Sequence, residues 1–290
     1  MSNMPAPPRS RTTTLVLCFI LLAYMAARAL EIVPNPIPRT AIVALDVLSA
    51  LAFALVDGTR QYGLRRILVF AAICAVVGNS SENLSIATGF PFGHYYFLNL
   101  MGPRLFQVPI LLGLAYIGMA YVSWTLARLI VHDSLGTGRR TLAIPITASF
   151  IMVAWDLAQD PVWSTVLHGW VWRDGGAWFG VPISNYFGWY LTVFLIYLCF
   201  ALYLRRSAPQ ATNCQPAWWP AIVFYALCAV GNVLETLPNP VPAIVQDPSG
   251  AQWRVVEITR ASALVSVFAM GTFAALAWAA LAQHKRALTD

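Results

Sequence analysis

The sequence predicts an all-α membrane protein, a bundle of about eight transmembrane helices arranged as four hairpins. Hydrophobic residues make up 59% of the 290 residues and charged residues only 10%, whereas a soluble domain normally carries about 25% charged residues. The apolar residues are gathered in runs near the length of about 20 residues that a helix needs to cross a bilayer. The runs cover residues 13–31, 40–57, 67–86, 106–131, 141–162, 186–205, 217–236 and 258–283. We therefore expect one membrane domain at 13–284, after a disordered tail at 1–12.

The basic residues are distributed unevenly among the predicted connections. The two termini and the connections 57–66, 128–140 and 205–216 hold twelve of the 18 Arg and Lys residues, and the alternate connections hold five. Cytoplasmic loops of membrane proteins carry an excess of these residues. The distribution predicts that both termini are cytoplasmic, in a bacterial or archaeal cytoplasmic membrane. It also accounts for the net charge of +6 without a nucleic-acid partner.

Two outer connections, at 89–103 and 168–189, are rich in aromatic residues. They are too apolar for ordinary solvated loops, and Gly and Pro interrupt them too often for helices. Since Trp and Tyr favour the membrane interface, these segments are predicted to fold as lids over the mouth of the bundle. The alternative is a plain aromatic belt at the interface.

An internal repeat brings carboxylates to one end of the predicted bundle. Glu31 and Glu235 each begin an acid-x-x-Pro-Asn-Pro motif at the end of an apolar run, and Gly-Asn-x-x-Glu ends at both Glu82 and Glu235. Asp156 and Asp160 close the fifth run, just before a proline that is expected to stop the helix. The pattern predicts that alternate helices surround one site with these acids.

The pair Asp156 and Asp160 lies one helical turn apart, on one face. An ionised side chain at the centre of a bilayer costs about 2.5–3.5 kcal/mol, and two neighbouring carboxylates do not both ionise easily. One of them could keep its proton and act as a general acid beside an ionised neighbour. The alternative is structural ion pairing, with partners among Arg28, Arg104, Arg173 and Arg254. Asp46, which has no counterpart in the repeat, is expected to make a structural hydrogen bond.

His94 and His168 both lie in the aromatic connections. No third ligand follows at a suitable spacing, so we predict no metal site. His94 and His168 could instead hydrogen-bond a carboxylate. No haem, flavin or nucleotide motif is visible in the sequence, and no cofactor is expected.

Three long motifs occur in order along the chain. They are Glu82-x-x-Ser85-x-x-Thr88-Gly89-x-Pro91-Phe92-Gly93-x-Tyr95, Trp155-Asp156-x-x-x-Asp160-Pro161, and Trp170-x-Trp172 followed by Phe179-Gly180-Val181-Pro182-x-x-Asn185-x-x-Gly188-Trp189. With them the chain resembles the carotenoid biosynthesis protein family of CruF-type hydratases, from about residue 15 to residue 280. The resemblance implies addition of water across the C1=C2 double bond of an acyclic (ψ) carotenoid end group, as in lycopene or γ-carotene, giving a tertiary 1-hydroxy product.

Hydration with that regiochemistry requires protonation of C2, a positive charge at C1 and attack by water. Carboxylates could supply the acid and the base, aromatic faces could stabilise the cation, and amides could hold the water. The candidate catalytic residues are Glu82, Asp156, Asp160, Glu235 and Glu31. The candidate substrate- and water-binding residues are Asn79, His94, Tyr95, Trp155, Trp172, Asn185, Trp189 and Asn232. Further aromatic candidates are Tyr96, Trp163 and Phe179.

Two other functions fit parts of the pattern. A membrane isoprenoid transferase or cyclase could use Asp156-x-x-x-Asp160 with magnesium, but the chain lacks a second Asp-rich motif and has few cations to bind a diphosphate. A transporter or proton-coupled channel would place its acids near the middle of the membrane and would not need aromatic lids. The expected partners are a carotenoid with a ψ end, water and the lipid bilayer, and other carotenoid enzymes are further candidates.

Overall fold

The computed structural model describes residues 11–131, 137–207, 218–238 and 242–286. Most of the predicted tail at 1–12, and parts of the predicted connections at 128–140 and 205–216, lie outside these residues. The second acid-x-x-Pro-Asn-Pro motif also lies partly outside them. Arg11 already belongs to the first helix.

Within the described residues the chain is mainly helical, with 76% helix in eight helices. They are α1 Arg11–Ile32, α2 Arg39–Tyr62, α3 Leu64–Thr88, α4 Ile110–Ile130, α5 Thr137–Pro161, α6 Ile183–Arg206, α7 Trp219–Leu234 and α8 Val255–Arg286. A π-helical turn, Val162–Val166, extends α5, and another, Ser266–Met270, lies within α8.

Seven of these helices are long and apolar enough to cross a membrane, so the chain is an integral membrane protein. The exception is α7, whose 16 residues span about 24 Å at 1.5 Å per residue. The hydrocarbon core of a bilayer is about 30 Å thick. The predicted count of eight crossings therefore depends on α7 and stays a prediction.

Successive helices pack against each other, α1 on α2, α3 on α4, α5 on α6 and α7 on α8. The centre of the bundle is α4, which contacts α2, α3, α5, α7 and α8. The strong burial of α4 explains why nearly all of its side chains are apolar or small. Because α4 packs against α2 and α5 as well as α3, the arrangement as four hairpins stays a prediction.

The second helix runs further than its apolar run. The connection predicted at 57–66 is wrong in extent, because α2 continues to Tyr62, α3 begins at Leu64, and only Gly63, at φ +80°, separates them. The polar residue that ended the apolar run is buried in the bundle, where one of its two oxygens is hydrogen-bonded and the other has no partner among the described residues. Asp57 Oδ2 accepts hydrogen bonds from Gln61 at 2.6 Å and from the Tyr121 hydroxyl at 2.7 Å.

Pro161 does not stop the fifth helix, contrary to the prediction. Its missing N–H leaves the carbonyl of Leu157 without its helical donor, and the indole of Trp178 donates to that carbonyl at 3.2 Å. The carbonyl of Asp160 accepts from the Ser164 hydroxyl at 2.7 Å. With these side-chain donors in place, the chain continues as a π-helical turn.

The outer connections contain short strands that pair in three two-stranded sheets. The strands are β1 Tyr95–Phe97, β2 Arg104–Leu105, β3 Val108–Pro109, β4 Trp170–Trp172, β5 Ile244–Gln246 and β6 Gln252–Arg254. The sheets join β1 to β4, β2 to β3, and β5 to β6, all antiparallel. In the β1–β4 sheet, which we call the lid, Tyr95 lies opposite Trp172. The two aromatic connections therefore form one lid.

Ser85 and Gly188 hold in place the segment that precedes the lid, residues 91–93. The Ser85 hydroxyl accepts from the N–H of Phe92 at 3.1 Å and of Gly93 at 3.3 Å, and it donates to the Gly93 carbonyl at 2.9 Å. A Cβ at Gly188 would lie 2.5 Å from the carbonyl oxygen of Pro91. Only glycine therefore allows α6 to pack this closely against the segment before the lid.

Gly118 provides a test of the packing of α4 on α2. A Cβ at Gly118 would lie 2.7 Å from the Cβ of Ala50 and 2.8 Å from its backbone carbon. Since overpacking costs about 1–3 kcal/mol, we expect Gly118→Ala to lower the thermal unfolding midpoint of the purified protein in detergent, followed by Trp fluorescence. Gly113→Ala is the matched control on α4, because nothing lies within 4 Å of its Cβ position and Ala favours a helix by about 1 kcal/mol. Equal midpoints for the two variants would contradict the close approach.

Candidate active site

Three carboxylates lie buried beneath the lid, Glu82 from α3 and Asp156 and Asp160 from α5; we call them the acid trio. Their exposed fractions are 4%, 4% and 1%. Within the described part of the chain, neutral side chains supply their hydrogen bonds. The trio is thus a set of buried acids that interact mainly with one another and with neutral donors.

Asp160 accepts the largest number of these hydrogen bonds. Its Oδ1 accepts from the lid indoles of Trp170 at 2.9 Å and Trp172 at 3.4 Å. Its Oδ2 accepts from the Asn185 amide at 2.6 Å. Because hydrogen bonds to a carboxylate favour the ionised form, these donors stabilise a negative charge on Asp160.

Glu82 is held by two tyrosines. The Tyr95 hydroxyl of the lid donates to Oε2, and the Tyr116 hydroxyl of α4 donates to Oε1 at 2.5 Å. Tyr116 also stacks on Trp189, with 4.6 Å between the ring centroids. Sequence reasoning missed Tyr116; its only signal is a hydroxyl-bearing side chain in the apolar run of α4.

Asp156 accepts only one of these bonds, from the Asn185 amide at 3.2 Å. It also interacts with the negative charges of Asp160 and Glu82. Like charges at close range do not all persist without a cation. The member with the fewest donors holds a proton most readily, and that member is Asp156.

Two adjoining cavities meet at the trio. The main cavity, of about 60 Å³, is lined mainly by aromatic and apolar side chains and by Asp46, Asp156, Gln159 and Asp160. The inner cavity, of about 20 Å³, lies under the lid beside Glu82 and Asn185. Both are lined by Asp160, so that carboxylate stands at their junction.

Asp46, from α2, lies on the wall of the main cavity. Its Oδ1 atom is buried and has no hydrogen-bond partner among the described residues. The structural hydrogen bond expected for Asp46 is therefore not made by this oxygen.

The other two predicted acids belong to a separate group, the arginine cluster. Arg28 is buried, pairs with Glu31 and Glu235, the latter at 2.5 Å, and donates to Asn232 Oδ1 at 3.1 Å. The sequence placed all these acids around one site, but the structure divides them because the guanidinium of Arg28 satisfies two at once. Gln159, on the main cavity wall, donates to Asn232 at 3.0 Å and links the two groups.

The remaining arginines proposed as structural partners lie elsewhere. Arg104 donates to a lid carbonyl at 2.7 Å, Arg173 lies 5.8 Å from the ring centroid of Tyr96, and Arg254 pairs with Glu257 at 3.2 Å. Of the arginines proposed as partners, Arg28 thus pairs with two of the predicted acids, Glu31 and Glu235. The acid trio is instead hydrogen-bonded by Tyr, Trp and Asn side chains.

Most of the aromatic and amide candidates meet at the two cavities. Trp155, Trp163 and Trp189 line the main cavity, and Tyr95, Trp172, Asn185 and Trp189 line the inner one. Trp170, which sequence reasoning quoted only as part of a motif, lines both.

Other candidates lie away from the cavities. Asn79 is bonded to Asn83 on its own helix, at 2.9 Å between side chains. His94 is exposed and its ring packs over Gly89, so the structure places it at the surface of the lid segment and not beside the trio. Tyr96 is 42% exposed. Phe179 packs on Trp178 and Trp253 in an outer cluster.

An outer cleft of about 280 Å³ lies on the far side of the lid and is lined by Ser164, Thr165, His168, Trp172 and Asp247, among others. Burial tends to raise the pKa of Asp247, but hydrogen bonds from Ser249, from Trp253 and from backbone N–H groups outweigh it and lower that pKa below its usual value. The cleft is therefore polar and carries a negative charge at its edge. Trp172 lines both this cleft and the inner cavity and separates them.

The described residues contain no group of three His, Cys, Asp or Glu side chains arranged to hold a metal ion. A magnesium site of the kind that an isoprenoid transferase needs would have to be completed by other ligands. No observation of the site favours that alternative.

Comparison with known families assigns the chain. A model of the carotenoid biosynthesis protein family matches residues 40–246, which contain the acid trio and the lid. Comparison with curated proteins and with solved structures gave no match. The family match extends over more than half of the chain. The chain therefore belongs to the carotenoid biosynthesis protein family and has a role in carotenoid biosynthesis.

Proposed function

We propose that this protein is a carotenoid hydratase, which adds water across the C1=C2 double bond of a ψ end group. The observation that carries the proposal is Asp156, a buried acid with a single hydrogen-bond donor, facing a cavity with aromatic walls. Membership of a carotenoid biosynthesis family supplies the substrate class. The protein would then be an enzyme of the lyase class that acts on an end group such as that of lycopene or γ-carotene.

In the first step Asp156 donates its proton to C2, and the π electrons of the double bond form the new C–H bond. Positive charge then develops at C1, a tertiary centre. Faces of Trp155, Trp163 and Trp189 line the cavity in which this happens. Each aromatic face stabilises a desolvated cation by roughly 0.5–2 kcal/mol. The ionised Asp160 adds electrostatic stabilisation across a dry site.

In the second step a water molecule attacks C1 and loses a proton to a carboxylate. The main cavity of about 60 Å³ has room for that water beside the end group, since one water needs about 10–15 Å³ by this measure. An alkene and water contain all the atoms of the alcohol product. The reaction balances without an oxidant or a reductant, and the proposal includes no cofactor.

The size of the main cavity fits an end group and not a whole polyene. At about 60 Å³ it holds roughly four to six water-sized groups, which is enough for the branched end of a carotenoid and the attacking water. The rest of the apolar chain would lie between helices or in lipid. This explains why an enzyme for such a substrate is a membrane protein.

The proposed function is tested by expressing the chain in a bacterium that accumulates lycopene and measuring pigment mass. We expect a gain of one water per ψ end with the wild-type chain. Asp156→Asn should reach the membrane at normal levels, because a neutral amide costs less in lipid than a carboxylate. Its hydration rate should fall by about 10²–10⁴-fold, the usual loss for a general acid.

Glu257→Gln is the matched control, since Glu257 is an exposed carboxylate that pairs with exposed Arg254. It should hydrate lycopene as fast as the wild type. Unchanged lycopene with the wild-type chain would refute the hydratase, and full activity of Asp156→Asn would refute the role of its carboxyl group.

We further propose eight crossings with both termini in the cytoplasm of a bacterial or archaeal cell. The lid and the acid trio would then lie at the outer side of the cytoplasmic membrane. Reporter fusions after residues 60, 136, 210 and 290 should read cytoplasmic, and fusions near 97, 175 and 248 should read external. Reversed readings at both 248 and 290, with the other readings unchanged, would indicate that the short α7 does not cross.

A further inference from the structure

We infer that Asp46 is the catalytic base that orients and deprotonates the attacking water. The inference rests on the proposed hydratase function and adds to it the second half of the acid–base pair. It also reverses the structural role that the sequence suggested for this residue.

The geometry sets Asp46 and Asp156 on different walls of one cavity. Asp46 comes from α2 and Asp156 from α5, and each of these helices packs against α4. Both side chains line the main cavity together with Tyr116 of α4 and Trp189 of α6. A substrate end held between the walls would have an acid from one helix and a carboxylate from another within reach.

The hydrogen bonds separate Asp46 from the other acids of the site. Both oxygens of Glu82 accept tyrosine hydroxyls, and both oxygens of Asp160 accept indole or amide donors. Asp46 Oδ1 is buried without a partner among the described residues. A buried acceptor left unpaired is costly, and of the acids that line the main cavity Asp46 is the one that the described residues leave with such an oxygen. The Asp46 carboxylate is therefore the one best placed to accept the proton of a water in the cavity.

The neighbouring charges also differ between the two aspartates. Burial disfavours the charged form of both aspartates, so the charges around them decide how they differ. Asp46 interacts with the positive charge of Arg28 and, more weakly, with the negative charge of Glu235. Among the charged groups of the described residues, those that act on Asp156 are the negative charges of Asp160 and Glu82. A nearby cation favours a carboxylate, and nearby anions favour a carboxylic acid. Acid and base assignments follow from such opposed environments.

Asp156 gives its proton to C2, water forms the C1–O bond, and the proton released from that water passes to the Asp46 carboxylate. One proton has left Asp156 and one has arrived at Asp46. The cycle closes when that proton returns to Asp156 through water in the cavity, which leaves both groups as they began.

Deuterium exchange distinguishes a base from a merely structural residue. In membranes carrying Asp46→Asn, supplied with lycopene in D₂O, we expect hydration to fall by about 10²–10⁴-fold while unhydrated lycopene gains deuterium. Asp156 can still deuterate C2, but the cation finds no activated water and returns to the alkene by losing a proton to Asp156. Asp156→Asn should neither hydrate lycopene nor exchange deuterium into it.

Asp57→Asn is the matched control on the same helix. Both donors to Asp57 bind its Oδ2, so the amide oxygen of Asn can replace it, and hydration should match the wild type. The inference is overturned if Asp46→Asn hydrates lycopene at the wild-type rate, if it loses both hydration and exchange, or if it fails to accumulate in the membrane. If the wild-type chain itself forms no hydrated product, the proposed function fails first, which is a separate result.

Discussion

The carboxylate of Asp160 joins the parts of the site that come from separate regions of the chain. It accepts hydrogen bonds from two indoles of the lid and from an amide of α6, while its own backbone belongs to the end of α5. A charge buried in lipid surroundings is tolerated only where such donors solvate it. The need to solvate Asp160 therefore determines the position of the lid and the rotation of α6 about its axis. The lid and α6 in turn form walls of both cavities.

The same constraint gives the site its chemical asymmetry. Donors are concentrated on Asp160 and Glu82, so Asp156 is left with a single long hydrogen bond and two negative neighbours. Arg28 forms ion pairs with Glu31 and Glu235. Its positive charge also acts on Asp46 more strongly than on the acid trio. Acid and base are thus separated by the uneven supply of donors and cations, with no metal ion required by the chemistry that we propose.

The sequence predicts much of the scaffold, because the lipid environment imposes strong patterns. The apolar runs, the acids before turns and the aromatic connections over the bundle mouth could all be read from residue types. The pairing of Tyr116 with Glu82 could not, since it depends on the rotation of α4 against α3. The capture of Glu31 and Glu235 by Arg28 depends on the packing of α1 on α7. The continuation past Pro161 depends on Trp178, 17 positions further on, reaching a carbonyl that the proline leaves free.

The proposed mechanism requires that the new hydroxyl come from water through acid–base chemistry. The most direct measurement supplies lycopene to membranes carrying the wild-type chain, in parallel under ¹⁸O₂ and in H₂¹⁸O, and determines the mass of the hydroxylated pigment. The account predicts that the label from H₂¹⁸O enters the product and the label from ¹⁸O₂ does not. Label derived from ¹⁸O₂ would make the protein a monooxygenase and would contradict the assignment of Asp156 as the acid.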